Sequence, residues 1–356
     1  MSQNITYHEQ TDMNNIRKLR EILATLPNFA KDYFRAIEST TSTKTRISYA
    51  YDIRVFFEFL LSENPSLQNK TMKDLRVTIL DQLKPVDIEE YKEYLKLYES
   101  SHNSCTVKEL TNGERGLKRK MSSLRSFYSY YYKKEIIRTN PTLLVEMPKL
   151  HDKTIIRLDA GETAALLDYI EHCGDTLSGQ RKVYYEKTKL RDLAIVTLLL
   201  GTGINVSECV GLDVEDIDFR NNGIRLVRKG GSEMVVYFGK EVEKALKGYL
   251  TAREAIVPIA GHEHALFYST QRKRIGVQAV ENLVKKYSSA VTTSKKITPH
   301  KLRSTYGTAL YQETGDIYLV ADVLGHKDVN TTKKHYAAMD DARRRKAATA
   351  VHLRED

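Results

Sequence analysis

Four short segments in the second half of the chain bring together residue types suited to handling phosphate. In Thr298-Pro299-His300-Lys301-Leu302-Arg303, Thr298 suits a helix N-cap and Pro299 the first helical position. His300 and Arg303 then share a helix face at i,i+3, close to an N-terminus whose unpaired N–H groups and dipole favour an anion. The arginine adds a planar fork for two oxygens, which lysine does not reproduce. Val323-Leu324-Gly325-His326 reads as a helix end with glycine placed for the left-handed conformation and a second histidine at once after it. In Asn330-Thr331-Thr332-Lys333-Lys334-His335-Tyr336, Asn330 is read as the cap of a short helix that presents Tyr336. A tyrosine hydroxyl is a weak nucleophile at neutral pH, so it needs a phosphate already polarised by cationic donors. The fourth segment supplies Lys229, on a turn able to lay an ammonium beside a leaving oxygen. Each piece alone is commonplace, since Tyr336 is one of 22 tyrosines. Their order and spacing carry the weight.

The elements that must position these residues are mostly helical. AGETAALLDYIEH and KLRDLAIVTLLLGTG are strong helical patterns, the second closed by Gly201 and Gly203, and DTLSGQRKVYYEKTK between them reads as a loop or a helix extension. GIRLVRKGGSEMVVYFG carries two β-rich runs around Lys229-Gly230-Gly231-Ser232, a credible hairpin. Upstream, Ile47, Ala50, Ile53, Phe57 and Leu60 recur at helical spacing with Thr43 as a plausible cap, and Pro85 with Asp87, Glu89 and Glu90 opens another helix. A third runs from about Arg115 to Lys134, with Leu117, Met121, Leu124 and Tyr128 on one stripe. Lys118, Arg119, Lys120 and Arg125 leave another part of its surface basic; with Lys44 and Arg46 they are the candidate DNA-contacting cations, against the alternative of a solvated face. The tyrosines at 128 and 130–132 read as packing. These patterns divide the chain into an extension at 1–27, a helical domain at 28–147, a linker at 148–157, a second domain at 158–340 and a C-terminal helix or tail at 341–356. The fold class expected is mainly α, a helical first domain followed by an α+β domain with a small antiparallel sheet.

Composition narrows the partner. Lys plus Arg exceed Asp plus Glu by 56 to 46, a formal charge of +10 with pI near 9.2, which favours a polyanion, with nucleic acid ahead of an acidic membrane surface. No run approaches the roughly 20 apolar residues of a membrane-spanning helix, and the polar start lacks a signal-peptide pattern; a cytoplasmic location and no membrane partner are expected. Cys105, Cys173 and Cys209 are scattered and odd in number, and His300, His326 and His335 show no metal-ligand spacing. Inert thiols, no metal and no cofactor are the expectation.

On these residues the sequence resembles the tyrosine recombinase family, particularly single-chain integrases of the Xer type. The resemblance runs over about residues 28–345. It is carried in the first domain by TKTRISYAYDIRVFFEFL, RKMSSLRSFYSYYYKKEIIRTNP and MPKL, and in the second by RDLAIVTLLLGTGINVSECVGL, VRKGG, ITPHKLRSTYGTAL and VLGHKDVNTTKKHYA. It implies a helical core-binding (SAM-like) domain ahead of a catalytic domain, acting as a homotetramer on two duplex DNA sites with inverted half-sites, with any accessory protein left open. It further implies that Tyr336 attacks a scissile phosphate to form a 3′-phosphotyrosyl link, without metal or nucleotide. Arg303 would hold non-bridging oxygens, Lys229 protonate the leaving 5′ oxygen, His300 assist proton transfer, His326 donate a hydrogen bond to the phosphate, and Glu208 help to orient the site. Integration and excision of a mobile element, or resolution of chromosome dimers, would be the biological task.

One position departs from the family pattern. Where it reads GTGxRxSE, this chain has Gly201-Thr202-Gly203-Ile204-Asn205-Val206-Ser207-Glu208, so Asn205 stands in place of the first phosphate-gripping arginine. Asparagine is shorter and uncharged, and losing one such donor costs roughly 100- to 1000-fold in rate. Weak or absent cleavage follows as an expectation, from a natural variant or from a substitution that holds a DNA complex. Two other functions compete: a non-cleaving, sequence-specific DNA-binding protein derived from a recombinase, and a type IB topoisomerase, which would relax supercoils without a specific site. In the tail, Ala347, Ala348, Ala350, Val351 and Leu353 suit a helix that docks on a neighbouring protomer or folds back on its own domain.

Overall fold

A reciprocal cap starts the first helix: the Glu9 N–H donates to the Thr6 hydroxyl (3.3 Å) and the Thr6 N–H to the Glu9 carboxylate (2.8 Å). The computed structural model describes residues 6–100, 108–151, 155–228, 232–326, 328–330 and 332. Lys229, Tyr336, Cys105 and the segment 341–356 lie outside the described residues. The chain divides into two compact units, 1–153 and 154–356.

In the first unit, α1 (Tyr7–Ala24) packs against α3 (Thr43–Glu63), and Leu19, Ile22 and Leu26 join the core at no more than 5% exposure. The reading of 1–27 as an extension is corrected accordingly: Leu19 and Ile22, buried at helical spacing within otherwise polar text, make α1 an integral helix, and Leu26 just beyond it joins the same core. Between them lies α2 (Ala30–Ala36). Ser42 caps α3, its hydroxyl accepting from the Thr45 N–H (3.3 Å), one residue before the expected Thr43. α4 (Ile79–Gln82) and α5 (Pro85–Tyr94) follow, the latter with Pro85 in the first turn as expected and the Asp87 carboxylate accepting from the Lys84 N–H (2.6 Å). β1 (Leu97–Ser100) and β2 (Lys108–Thr111) pair antiparallel, a ribbon the sequence reading did not anticipate, and α6 (Glu114–Lys133) closes the unit. Its core is largely aromatic. The Phe127 ring lies 5.1 Å from Tyr33 and 5.9 Å from Phe57, edge-on to both, an arrangement that adds to area burial. Tyr128 and Tyr131 are buried and donate their hydroxyls to the Leu80 and Phe29 carbonyls, at 3.4 and 2.7 Å. They pack, as expected of them.

The second unit is built around one long apolar helix. α7 (Ala160–His172) is capped by the Asp159–Glu162 box, and α8 (Gly179–Thr202) absorbs the segment read as loop or helix extension. α9 (Val206–Gly211) leads to an antiparallel three-stranded sheet in the order β3 (Ile217–Asp218), β4 (Gly223–Val227), β5 (Glu233–Tyr237). In the β4–β5 register Val227 faces Glu233, so the expected hairpin is present. Four helices complete the unit: α10 (Lys240–Glu254), α11 (Val277–Val291), α12 (Pro299–Thr314) and α13 (Ile317–Leu324). α8 packs against α7, α10 and α12, and its Ala194, Ile195, Leu198 and Leu199 are fully buried. Within it the Arg191–Asp192 pair is buried, Asp192 also accepting from the Tyr287 hydroxyl at 3.0 Å, so the charge is compensated on two sides. Burial pushes the Cys209 thiol up to about 12 and raises that of Cys173, which suppresses the reactive thiolate. Among the described residues no helix is long and apolar enough to cross a membrane.

The molecule is therefore mainly α, with small antiparallel sheets.

Candidate active site

The end of α13 gathers the site. Gly325 takes the left-handed conformation (φ +64°), and its N–H and that of His326 turn back to the Asp322 and Ala321 carbonyls, each at 2.8 Å. This is the glycine-closed helix end expected from the sequence. It fixes His326 at once beyond the last helical turn. The His326 Nδ1 lies 2.7 Å from the hydroxyl of Thr332, which is fully buried. That hydrogen bond sets the ring plane and directs Nε2 away from Thr332.

Arg303 comes from the second turn of α12. Pro299 is the first residue of that helix, Thr298 its N-cap by position, although no side-chain cap bond forms. The Arg303 side chain is buried and donates from Nη1 to the Gly203 carbonyl (2.5 Å) and from Nη2 to the Leu324 carbonyl. One guanidinium thereby ties the end of α8 to the end of α13. Gly203 permits the approach: its φ is +64°, and a Cβ there would lie 2.4 Å from the Tyr306 ring. His300, one turn back on the same helix, is exposed.

Asn205 stands two residues beyond Gly203, at the N-cap of α9, and is exposed. Its backbone N–H and Nδ2 both donate to the Glu208 carboxylate, at 2.7 and 3.2 Å. Glu208 is not a simple surface carboxylate: its side chain is 10% exposed and its Oε1 lies 3.9 Å from the Nε of Arg228. Arg228 in turn donates from Nη2 to the Val323 carbonyl (2.8 Å). Its backbone N–H donates to the Ser232 carbonyl (2.8 Å) across the hairpin turn. Of the sequence-predicted catalytic residues, the structure thus brings Asn205, Glu208, Arg303 and His326 into one connected cluster, with His300 on the helix that carries Arg303. Arg228 and Thr332 also belong to this cluster, and sequence reasoning missed both. The segment that follows is capped by Asp328, whose carboxylate accepts from the Asn330 N–H (2.9 Å), so Asn330 is helical and not the expected cap.

Two guanidinium groups therefore sit on consecutive carbonyls at the negative end of α13, beside a histidine. Such a cluster suits a doubly oxygenated anion held by forked donors.

The candidate DNA-contacting cations of the first unit separate into two sets. Lys44 is exposed, Lys118 half-buried, and Arg119 partly exposed while reaching Asp52 (2.5 Å). Three others face inward, which corrects the reading of a uniformly basic surface. Lys120 is buried against Asp52 (3.1 Å), itself 1% exposed; a buried carboxylate requires such a cation. Arg46 is buried and pairs with Glu38 (3.2 Å). Arg125 donates to the Thr142 and Val145 carbonyls, at 2.9 and 2.5 Å, satisfying backbone acceptors beyond α6.

Comparison with known proteins agrees with this geometry. Residues 156–343 match the phage integrase family. The chain is 32% identical to the tyrosine recombinase XerC of Caldanaerobacter subterraneus subsp. tengcongensis over 91% of its length and 86% of the relative's. It is 28% identical to the tyrosine recombinase XerS of Streptococcus equi subsp. zooepidemicus, over 92% of this chain and 96% of that one. Its fold is similar to that of the XerH site-specific recombinase bound to palindromic difH substrate in a post-cleavage complex. There the TM-score is 0.66 and the identity 18%, with 98% of this chain and 91% of the other covered. The chain belongs to the phage integrase family, within its Xer-like tyrosine recombinases.

Proposed function

We propose that this protein is a site-specific recombinase that cuts and rejoins duplex DNA through a 3′-phosphotyrosyl intermediate on Tyr336, with cleavage slowed by Asn205. The observation that carries the reading is the Arg303–Arg228–His326 cluster at the end of α13, a preorganised anion grip in a chain whose relatives are named tyrosine recombinases. In the step proposed, Arg303 and the His326 imidazole bind non-bridging oxygens of the scissile phosphate. The Tyr336 hydroxyl forms a bond to phosphorus as the bond to the 5′ oxygen breaks; His300 receives the phenolic proton and Lys229 delivers one to the leaving oxygen. The phosphodiester energy is conserved in the new link, and attack by a 5′ hydroxyl reverses the step. Phosphoryl transfer of this kind depends on positioning and charge stabilisation, which the cluster is built to supply.

The proposal extends to a homotetramer on two sites with inverted half-sites, working in the cytoplasm on a mobile element or a chromosome dimer. A second reading, a DNA-binding protein that no longer cuts, is favoured by Asn205 alone, because its side chain is engaged with Glu208 and carries no charge. The two separate on a nicked suicide duplex with the cognate inverted repeats. Under the recombinase reading Asn205→Arg raises covalent adduct formation, by up to about 1000-fold, and Tyr336→Phe removes it. Binding with no adduct from any form would establish the second reading instead.

A further inference from the structure

We infer that Arg228 supplies a phosphate-gripping guanidinium that partly offsets the one Asn205 lacks, and so is a further catalytic residue of this site. The inference rests on the recombinase reading above. Asn205 and Arg228 converge on the same Glu208 carboxylate from different elements, Asn205 at the start of α9 and Arg228 at the end of β4. A cation approaching from the hairpin thus reaches the place that a longer side chain at 205 would serve. The Arg228 head group is anchored on the Val323 carbonyl, next to the Leu324 carbonyl that holds Arg303. The two guanidinium groups therefore share the helix end that His326 follows.

Its charge is only loosely answered. Among the described residues its carboxylate partner is Glu208, 3.9 Å away; the side chain is 14% exposed, and the Nε is buried with no hydrogen-bond partner among those residues. A half-buried cation beside a second cation is completed by an anion with more than one oxygen. Gly325 makes room for it: a Cβ there would fall 1.3 Å from Arg228 Nη1. The glycine is therefore required twice, for its positive φ and for the passage of this side chain.

The test is a double-substitution cycle on the suicide duplex, scoring Tyr336-dependent covalent adduct in single turnover. In the Asn205 chain, Arg228→Ala is expected to lower the adduct rate about 100- to 1000-fold, with Arg228→Lys recovering only part. In the Asn205→Arg background the same Arg228→Ala change is expected to cost less than about tenfold, since the arginine introduced at 205 then carries most of the grip. Binding of the Tyr336→Phe forms to intact duplex reports whether each variant folds and docks. Equal losses in both backgrounds, no loss in either, or adduct only when Asn205 is replaced would each overturn the role given to Arg228 while leaving the recombinase reading in place. Absence of Tyr336-dependent adduct from every form would overturn both.

Discussion

At the scale of single residues, the site is defined by what holds each donor still. His326 is oriented by Thr332, a threonine with no exposed surface, and an imidazole so fixed has its second nitrogen set in direction. Thr332→Val keeps the shape and deletes the hydroxyl. It is expected to lower the adduct rate by up to about 100-fold with duplex affinity unchanged, and Thr332→Ser to retain most of the rate; equal rates for Val and Ser would show that the hydroxyl positions nothing. Arg303 is buried and bonded to two carbonyls, which explains why arginine is needed there: its fork spans Gly203 and Leu324 at once, whereas an ammonium would hold one carbonyl and lose the plane. Asn205, by contrast, is used locally. Its amide and N–H serve Glu208 at the start of a six-residue helix.

At the scale of elements, two helix ends and a hairpin end do the positioning, and they differ in how far the sequence reveals them. The start of α12 and the end of α13 were legible because their signals are local: Pro299 fits only a first turn, and Gly325 fits a left-handed closing residue. The β4–β5 hairpin was legible for the same reason. The partners were not. Nothing local marks Arg228 as a side chain that reaches α13, and Thr332 is one hydroxyl among several in its segment. On α6, helical periodicity located a basic run but could not say that Lys120 turns inward to Asp52, a residue far back in the chain on α3. That pair gives a prediction at this scale. Asp52→Ala leaves Lys120 buried without its carboxylate and is expected to destabilise the first unit by about 3–5 kcal/mol, read as a lower urea midpoint; a shift worth under about 1 kcal/mol would mean that Lys120 reaches water. The polar text of α1 concealed its two core residues in the same way, since only the folded partner shows which side of a mostly polar helix is covered.

At the scale of the whole molecule, a net charge of +10 is distributed unevenly between cations used inside the fold and cations left outside. Lys44 and Lys118 belong to the second group. Substituting either by glutamine is expected to weaken duplex binding alike for cognate and unrelated sequences, and to reduce the slope of log affinity against log salt by about 1 for each phosphate no longer neutralised. An unchanged slope would remove that lysine from the DNA-facing surface. The central claim is that this chain carries a recombinase site weakened by the guanidinium that position 205 lacks. The most direct measurement is single-turnover adduct formation on a nicked suicide duplex, comparing the chain as it stands with Asn205→Arg and with Asn205→Arg combined with Tyr336→Phe. The account predicts slow adduct from the first, a rate higher by up to about 1000-fold from the second, and none from the third. Equal binding with no adduct from any of the three would contradict it.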